Sequence, residues 1–99
     1  MSLREGEGLV LRETYFRLCQ AESPDGPDIG VPRNEIPAIR SELTREGMRG
    51  GEWAADHEAV FALILDRLRG SGDLRLASRV QYVRDNLAFI LNGKEERGY

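Results

Sequence analysis

The sequence predicts an all-α fold, a compact four-helix domain, on three observations. Four segments carry apolar residues at helical spacing, glycine- and proline-rich runs separate them, and the residues at several segment ends suit helix termini. The densest of these segments is Ala54 to Arg69, AADHEAVFALILDRLR. Its Val60, Phe61, Ile64, Leu65 and Leu68 share one broad face, with His57 at the upper edge. No other stretch seeds a core as well.

The 99 residues make one domain of residues 1–99, with the glycine-containing lead-in 1–8 and the polar end 94–99 expected as frayed tails. An apolar share of 40% beside 31% charged residues separates this chain from both disordered and membrane proteins. No apolar run approaches the ~18–20 residues of a membrane span, so no membrane partner is expected. The N-terminal stretch carries acids at Glu5, Glu7 and Glu13 and reads as neither a signal nor a transit peptide. The single cysteine, Cys19, excludes an intramolecular disulfide and points to the reducing cytoplasm. A net charge of −3 argues against a general nucleic-acid binder. Positive charge is nearly all arginine, with Lys94 the only lysine, and it drifts toward the C-terminal end.

In chain order, the first helix begins at Leu9, where Leu11, Tyr15, Leu18 and Cys19 form a stripe that Phe16 widens. Ser23-Pro24 ends it, because the residue before proline is driven out of the helical region. SPDGPDIGVP, residues 23–32, is a loop by its three prolines and two glycines, and Ile29 and Val31 are its means of reaching the core. Asn34 is the expected N-cap of a second helix over Glu35–Glu46, with Pro37 tolerated in the first turn. Its stripe of Ile36, Ile39 and Leu43 is narrow, which predicts a surface helix, with Gly47 beyond its end. GMRGGE, residues 47–52, reads as a flexible connection. In the central helix, Glu52, Asp56 and Glu58 suit the N-terminal dipole, and Arg67 and Arg69 suit the other end. Gly70-Ser71-Gly72 stops it.

Residues 73–91 admit two readings. Leu74, Leu76, Ser78, Val80 and Tyr82 alternate as in a half-buried strand, with Asn86–Leu91 as a hairpin partner. Leu76, Val80, Val83, Leu87 and Ile90 also fall on a helical stripe, Ser78 and Gln81 have capping-box spacing, and Asn92-Gly93 ends the pattern as a helix should. The helix signals outnumber the strand signal. The core is then expected from Leu11, Tyr15, Leu18, Ile36, Ile39, Leu43, Phe61, Ile64, Leu65, Leu68, Val83, Leu87 and Ile90.

Catalytic signals are weak. Cys19 lies beside Leu18 on an apolar face, where a free thiol behaves as a small, inert hydrophobe. His57 is the only histidine, and consecutive residues on a helix point about 100° apart, so Asp56, His57 and Glu58 do not converge on a metal. Glu42 with Arg45 and Glu46 with Arg49 are ordinary helix-surface pairs. The glycine clusters lack the lysine and hydroxyl of a phosphate loop. No catalytic residue, cofactor or metal is expected, and the chain does not read as an enzyme. Two features remain as a candidate interaction surface. Trp53 precedes the central helix, and tryptophan is enriched in binding hot spots. Arg75, Arg79 and Arg84, with Tyr82 among them, form a basic face able to reach phosphates if the segment is a hairpin wing.

The order of Leu9–Glu22, Asn34–Glu46, Ala54–Arg69 and a wing over Asp73–Leu91 resembles a winged-helix domain, three helices plus a C-terminal β-hairpin. That resemblance implies DNA binding and transcriptional regulation. The chain departs from it at Glu52, Asp56 and Glu58, since a recognition helix beginning with these carboxylates would bring them against phosphates. The leading expectation is therefore a small, soluble, non-enzymatic protein-interaction module, an adaptor or a subunit of a larger assembly, with a protein partner or self-association. The alternative is a winged-helix-like nucleic-acid-binding regulator.

Overall fold

The computed structural model describes residues 8–92, so the expected tails lie outside the described residues but for Gly8. The chain is mostly helical: α1 (Leu9–Glu22), a 3-10 turn (Arg33–Glu35), α2 (Ile36–Gly47), a two-strand hairpin of β1 (Met48–Arg49) and β2 (Glu52–Trp53), α3 (His57–Gly70), α4 (Leu74–Asp85) and α5 (Leu87–Asn92). Residues 74–85 and 87–92 are helical, divided by a break at Asn86, so the described residues form five α-helices where four were expected and the helical stripe prevails over the alternation. The alternating positions explain why: Leu74 is 64% exposed and Ser78 is exposed, so only part of the strand-like pattern reaches the core.

The helix starts show which capping signals operate. Asp56 caps α3 by accepting a hydrogen bond from the Ala59 N–H (3.1 Å), and Asp73 caps α4 by accepting from the Leu76 N–H (3.3 Å). The Ser78–Gln81 spacing is not a cap, because both residues lie inside α4. Asn34 does not cap α2 either. It sits within the 3-10 turn, and α2 begins after Glu35 without a side-chain cap, with proline in its first two positions.

α2 is not a surface helix. It packs against α1 on one side and α3 on the other, and also reaches α4. Ile36, Ile39 and Leu43 are fully buried, and Glu42 and Gly47 are buried with them. A narrow stripe is enough when two helices close over it. The α1 and α3 sides supply Leu11, Leu18, Val60, Phe61, Ile64, Leu65 and Leu68, and α4 and α5 close the core with Ala77, Val80, Val83 and Ile90. Of the expected core, Tyr15 and Leu87 are only partly buried. Ile29 and Val31 pin the 23–32 loop as expected.

The GMRGGE stretch is ordered. Met48 pairs with Trp53 and Arg49 with Glu52, antiparallel, around Gly50-Gly51. Both glycines have positive φ (59° and 86°), as a two-residue type I′ hairpin turn demands.

Candidate functional site

The residues expected on a basic face are tied into the fold. Glu35, on the 3-10 turn, accepts hydrogen bonds from Arg75 and Arg79, one turn apart on α4. Its side chain is 15% exposed, against 74% for Arg75 and 31% for Arg79. The Arg75 hydrogen bond, followed by that of Arg79, holds the Glu35 carboxyl below the usual glutamate range. Two of the three arginines therefore meet a carboxylate before they meet a ligand. Arg84 is exposed and lies 3.6 Å from Asp85. Tyr82 donates its hydroxyl hydrogen to the Ile29 carbonyl (2.9 Å), so it clamps the 23–32 loop onto α4. Gly30 makes that clamp possible: its φ is 90°, and a Cβ there would lie 2.1 Å from the Tyr82 hydroxyl oxygen.

Trp53 is half-buried and packs on Tyr15, with ring centroids 5.3 Å apart and planes tilted by 46°. The Arg40 guanidinium carbon lies 5.5 Å from the Tyr15 ring centre, and one of its N–H groups donates to the Tyr15 hydroxyl (3.1 Å). Arg40 also pairs with Glu22, and that hydrogen bond raises its already high pKa. The sequence Trp53, Tyr15, Arg40, Glu22 thus joins β2, α1 and α2 by stacking, cation–π contact and charge. Cys19 is a free thiol, half-buried rather than in the core, and close enough to Arg40 to interact with it electrostatically.

Glu42 and Glu46 do not pair with Arg45 and Arg49. Both carboxylates turn to Arg67 on α3, Glu46 accepting from its Nε at 3.1 Å and Glu42 forming an ion pair with its terminal nitrogen. His57 opens α3 and lines a small depression with Glu58, Arg84, Asp85 and Leu87. Among the described residues no cluster of three or more His, Cys, Asp or Glu side chains has the arrangement to hold a metal ion. None of the helices described is long and apolar enough to cross a membrane.

One open surface lies between α3 and α4. A groove of about 730 Å³ has Ala59, Ala62 and Leu65 on its apolar side and Gln81 and Arg84 on the α4 side. Leu63 stands on the same face and is 49% exposed. Asp66 and Arg69 complete the rim, and Arg69 donates to Gln81 across it at 2.8 Å. Arg84 also borders the His57–Glu58 depression, so the two hollows share a wall. Phe16 and Leu74 are more exposed than Leu63, but neither lines this groove.

The expected surface included Arg84 but missed the other groove residues. One signal for them was present. Leu63 falls outside the stripe of Val60, Phe61, Ile64, Leu65 and Leu68, so it is an apolar residue left over once the core face is assigned. Comparison with protein families, curated proteins and solved structures returns no match for this chain.

Proposed function

We propose that this chain is a non-enzymatic protein-interaction module of the reducing cytoplasm, a mostly helical domain whose working surface is the α3–α4 face. The observation that carries the reading is Leu63, 49% exposed beside an apolar groove. A lone exposed leucine is ordinary, whereas a leucine continuous with an apolar hollow and ringed by charged side chains has the layout of an interface core and rim. The continuous helix over residues 74–85 supports a helical reading of that segment over a wing.

Nucleic-acid binding is the weaker reading, since Glu35 engages both Arg75 and Arg79 and Arg84 lies beside Asp85. Phosphate contacts gain their affinity from several uncommitted cations releasing counterions together.

Photocrosslinking tests the interaction reading. A photoreactive phenylalanine analogue replacing Asp66, on the groove rim, is expected to give discrete protein adducts in living cells, lost when Leu63→Asp is added. Absence of any adduct from position 66, with the same analogue replacing the exposed Ser78 as a control, would refute it.

A further inference from the structure

We infer that residues 25–31 form a strap that swings open as one panel about a fixed base while the helices stay folded, with the Tyr82 hydroxyl as its latch. This stands apart from the α3–α4 face and does not depend on it. The base is fastened twice. Arg33 donates from Nε to the Ser23 carbonyl and from a terminal nitrogen to the Pro24 carbonyl, both at 3.1 Å, so the two ends of the loop are drawn together as in an Ω-loop. Two residues further on, Glu35 is held to α4 by Arg75 and Arg79.

Beyond that base the strap has few attachments. Among the described residues, its backbone N–H groups bond within the loop: Asp25 donates to the Ser23 hydroxyl (3.3 Å), Gly26 to the Ser23 carbonyl (2.9 Å) and Gly30 to the Asp28 carboxylate (2.9 Å). The hydrogen bond that leaves the loop is the one the Ile29 carbonyl accepts from Tyr82, 53 residues away. Ile29 and Val31 are its buried side chains; Asp25, Pro27, Asp28 and Gly30 are exposed and Gly26 is half-buried. Exposed backbone hydrogen bonds and a thin apolar anchorage are the marks of a segment that opens below the free energy of global unfolding.

The strap is also built to move as a unit. Pro24, Pro27 and Pro32 fix φ within it and at its ends, which restricts bending inside the panel. Gly26 and Gly30 shape the closed position. A Cβ at Gly26 would collide with the Gln20 carbonyl at the end of α1, and one at Gly30 with the Tyr82 hydroxyl, so the strap lies directly against both helices. When the latch releases, the Ile29 carbonyl and the half-buried Tyr82 hydroxyl both gain water, which offsets most of the lost bond. Ile29 and Val31 then leave their seats. Opening uncovers apolar surface beside Ala21, which lines one hollow with Val31 in the closed form.

Thiol labelling of the folded chain tests this, in a Cys19→Ala background and at reagent levels where reclosing outruns reaction. The thiol introduced by Val31→Cys reports on the strap, and that introduced by Val83→Cys, on the fully buried face of α4, reports on global unfolding. Val31→Cys is expected to label at least tenfold faster than Val83→Cys. Tyr82→Phe removes a bond that opening breaks, so it is expected to speed Val31→Cys labelling about three- to tenfold. Asp56→Ala removes a cap that the open strap leaves intact, so it is expected to speed Val83→Cys labelling about fivefold and leave Val31→Cys unchanged. Ile29→Cys is a second reporter, expected to answer both substitutions as Val31→Cys does, and melting curves check that every variant is folded. Labelling at position 31 no faster than at position 83 overturns the inference, as does an equal response of both positions to Asp56→Ala. A strap thiol indifferent to Tyr82→Phe removes the latch, and different responses at positions 29 and 31 rule out a single panel; either result overturns the inference as well.

Discussion

Replacing Arg67 with methionine removes the cation shared by two acids and is expected to destabilise the fold by about 2–3 kcal/mol. Truncating one partner of a fully buried ion pair costs roughly 3–5 kcal/mol, and an exposed pair contributes about 0–1 kcal/mol. The Arg67 cluster lies between these limits. Glu42 is 11% exposed and Glu46 20%, while Arg67 is 36% exposed and partly hydrated. Without Arg67, the Glu42 carboxylate loses its counter-charge between α2 and α3. Glu42→Gln is milder, about 1 kcal/mol, because Arg67 keeps Glu46 and its contact with water. The double variant Glu42→Met/Arg67→Met removes the buried charge together with its partner, and is expected to recover most of the loss. Urea titration measures all three, and the Arg67→Met midpoint on heating is expected to fall by about 10–20 °C for a domain of this size. A loss below about 0.5 kcal/mol for Arg67→Met, or a double variant no more stable than it, would refute the placement of that charge in the helix interface.

Other perturbations probe the clamps around the core. Glu35→Gln removes the acceptor of Arg75 and Arg79. Because the folded carboxyl titrates below its ordinary value of 4.5, its contribution is present above that value and lost as pH falls through the lower folded pKa. The wild type is therefore expected to melt above the variant at neutral pH, and the gap to close on acidification; a gap that widens would contradict the pairing. Gly30→Ala forces a positive φ on an L side chain and drives its Cβ into the Tyr82 hydroxyl, at an expected cost of about 2–3 kcal/mol. Combined with Tyr82→Phe, the loss is expected to be smaller than the sum of the two, as read in urea. Asp56→Ala removes the α3 cap and is expected to cost about 1 kcal/mol by thermal melting.

Much of this fold is legible in the sequence because its helices are amphipathic and well punctuated. Ser23-Pro24 ends α1 where expected, and the apolar spacing from Val60 to Leu68 marks the buried face of α3. Local signals failed where several residues satisfy the same rule. Ser78–Gln81 and Asp73 both offer a helix start, and only the chain direction after Gly72 selects Asp73. The type I′ turn was written as Gly50-Gly51, but flanking strands of two residues each are too short to show alternation. The central place of α2 was hidden because its stripe is no wider than that of a surface helix, and what matters is how many neighbours close over it.

The site was less legible than the fold. Arg75 and Arg79 look like a free basic face until Glu35, 40 and 44 residues earlier in the chain, is brought beside them. Arg67 likewise meets Glu46 across 21 residues, in preference to closer helical neighbours. Such pairings depend on tertiary approach, which no single-chain spacing rule encodes. Trp53, one of the candidate interaction residues, instead packs on Tyr15 and against the core. Leu63 remains exposed on the helix that otherwise supplies the deepest apolar face.

Whether that face binds a protein partner is read most directly from photocrosslinking in living cells at position 66, with and without Leu63→Asp. Discrete protein adducts are expected from position 66 in the otherwise wild-type chain, and their loss in the folded Leu63→Asp variant. No adduct at position 66, or adducts that persist unchanged in Leu63→Asp, would contradict a working surface on the α3–α4 face.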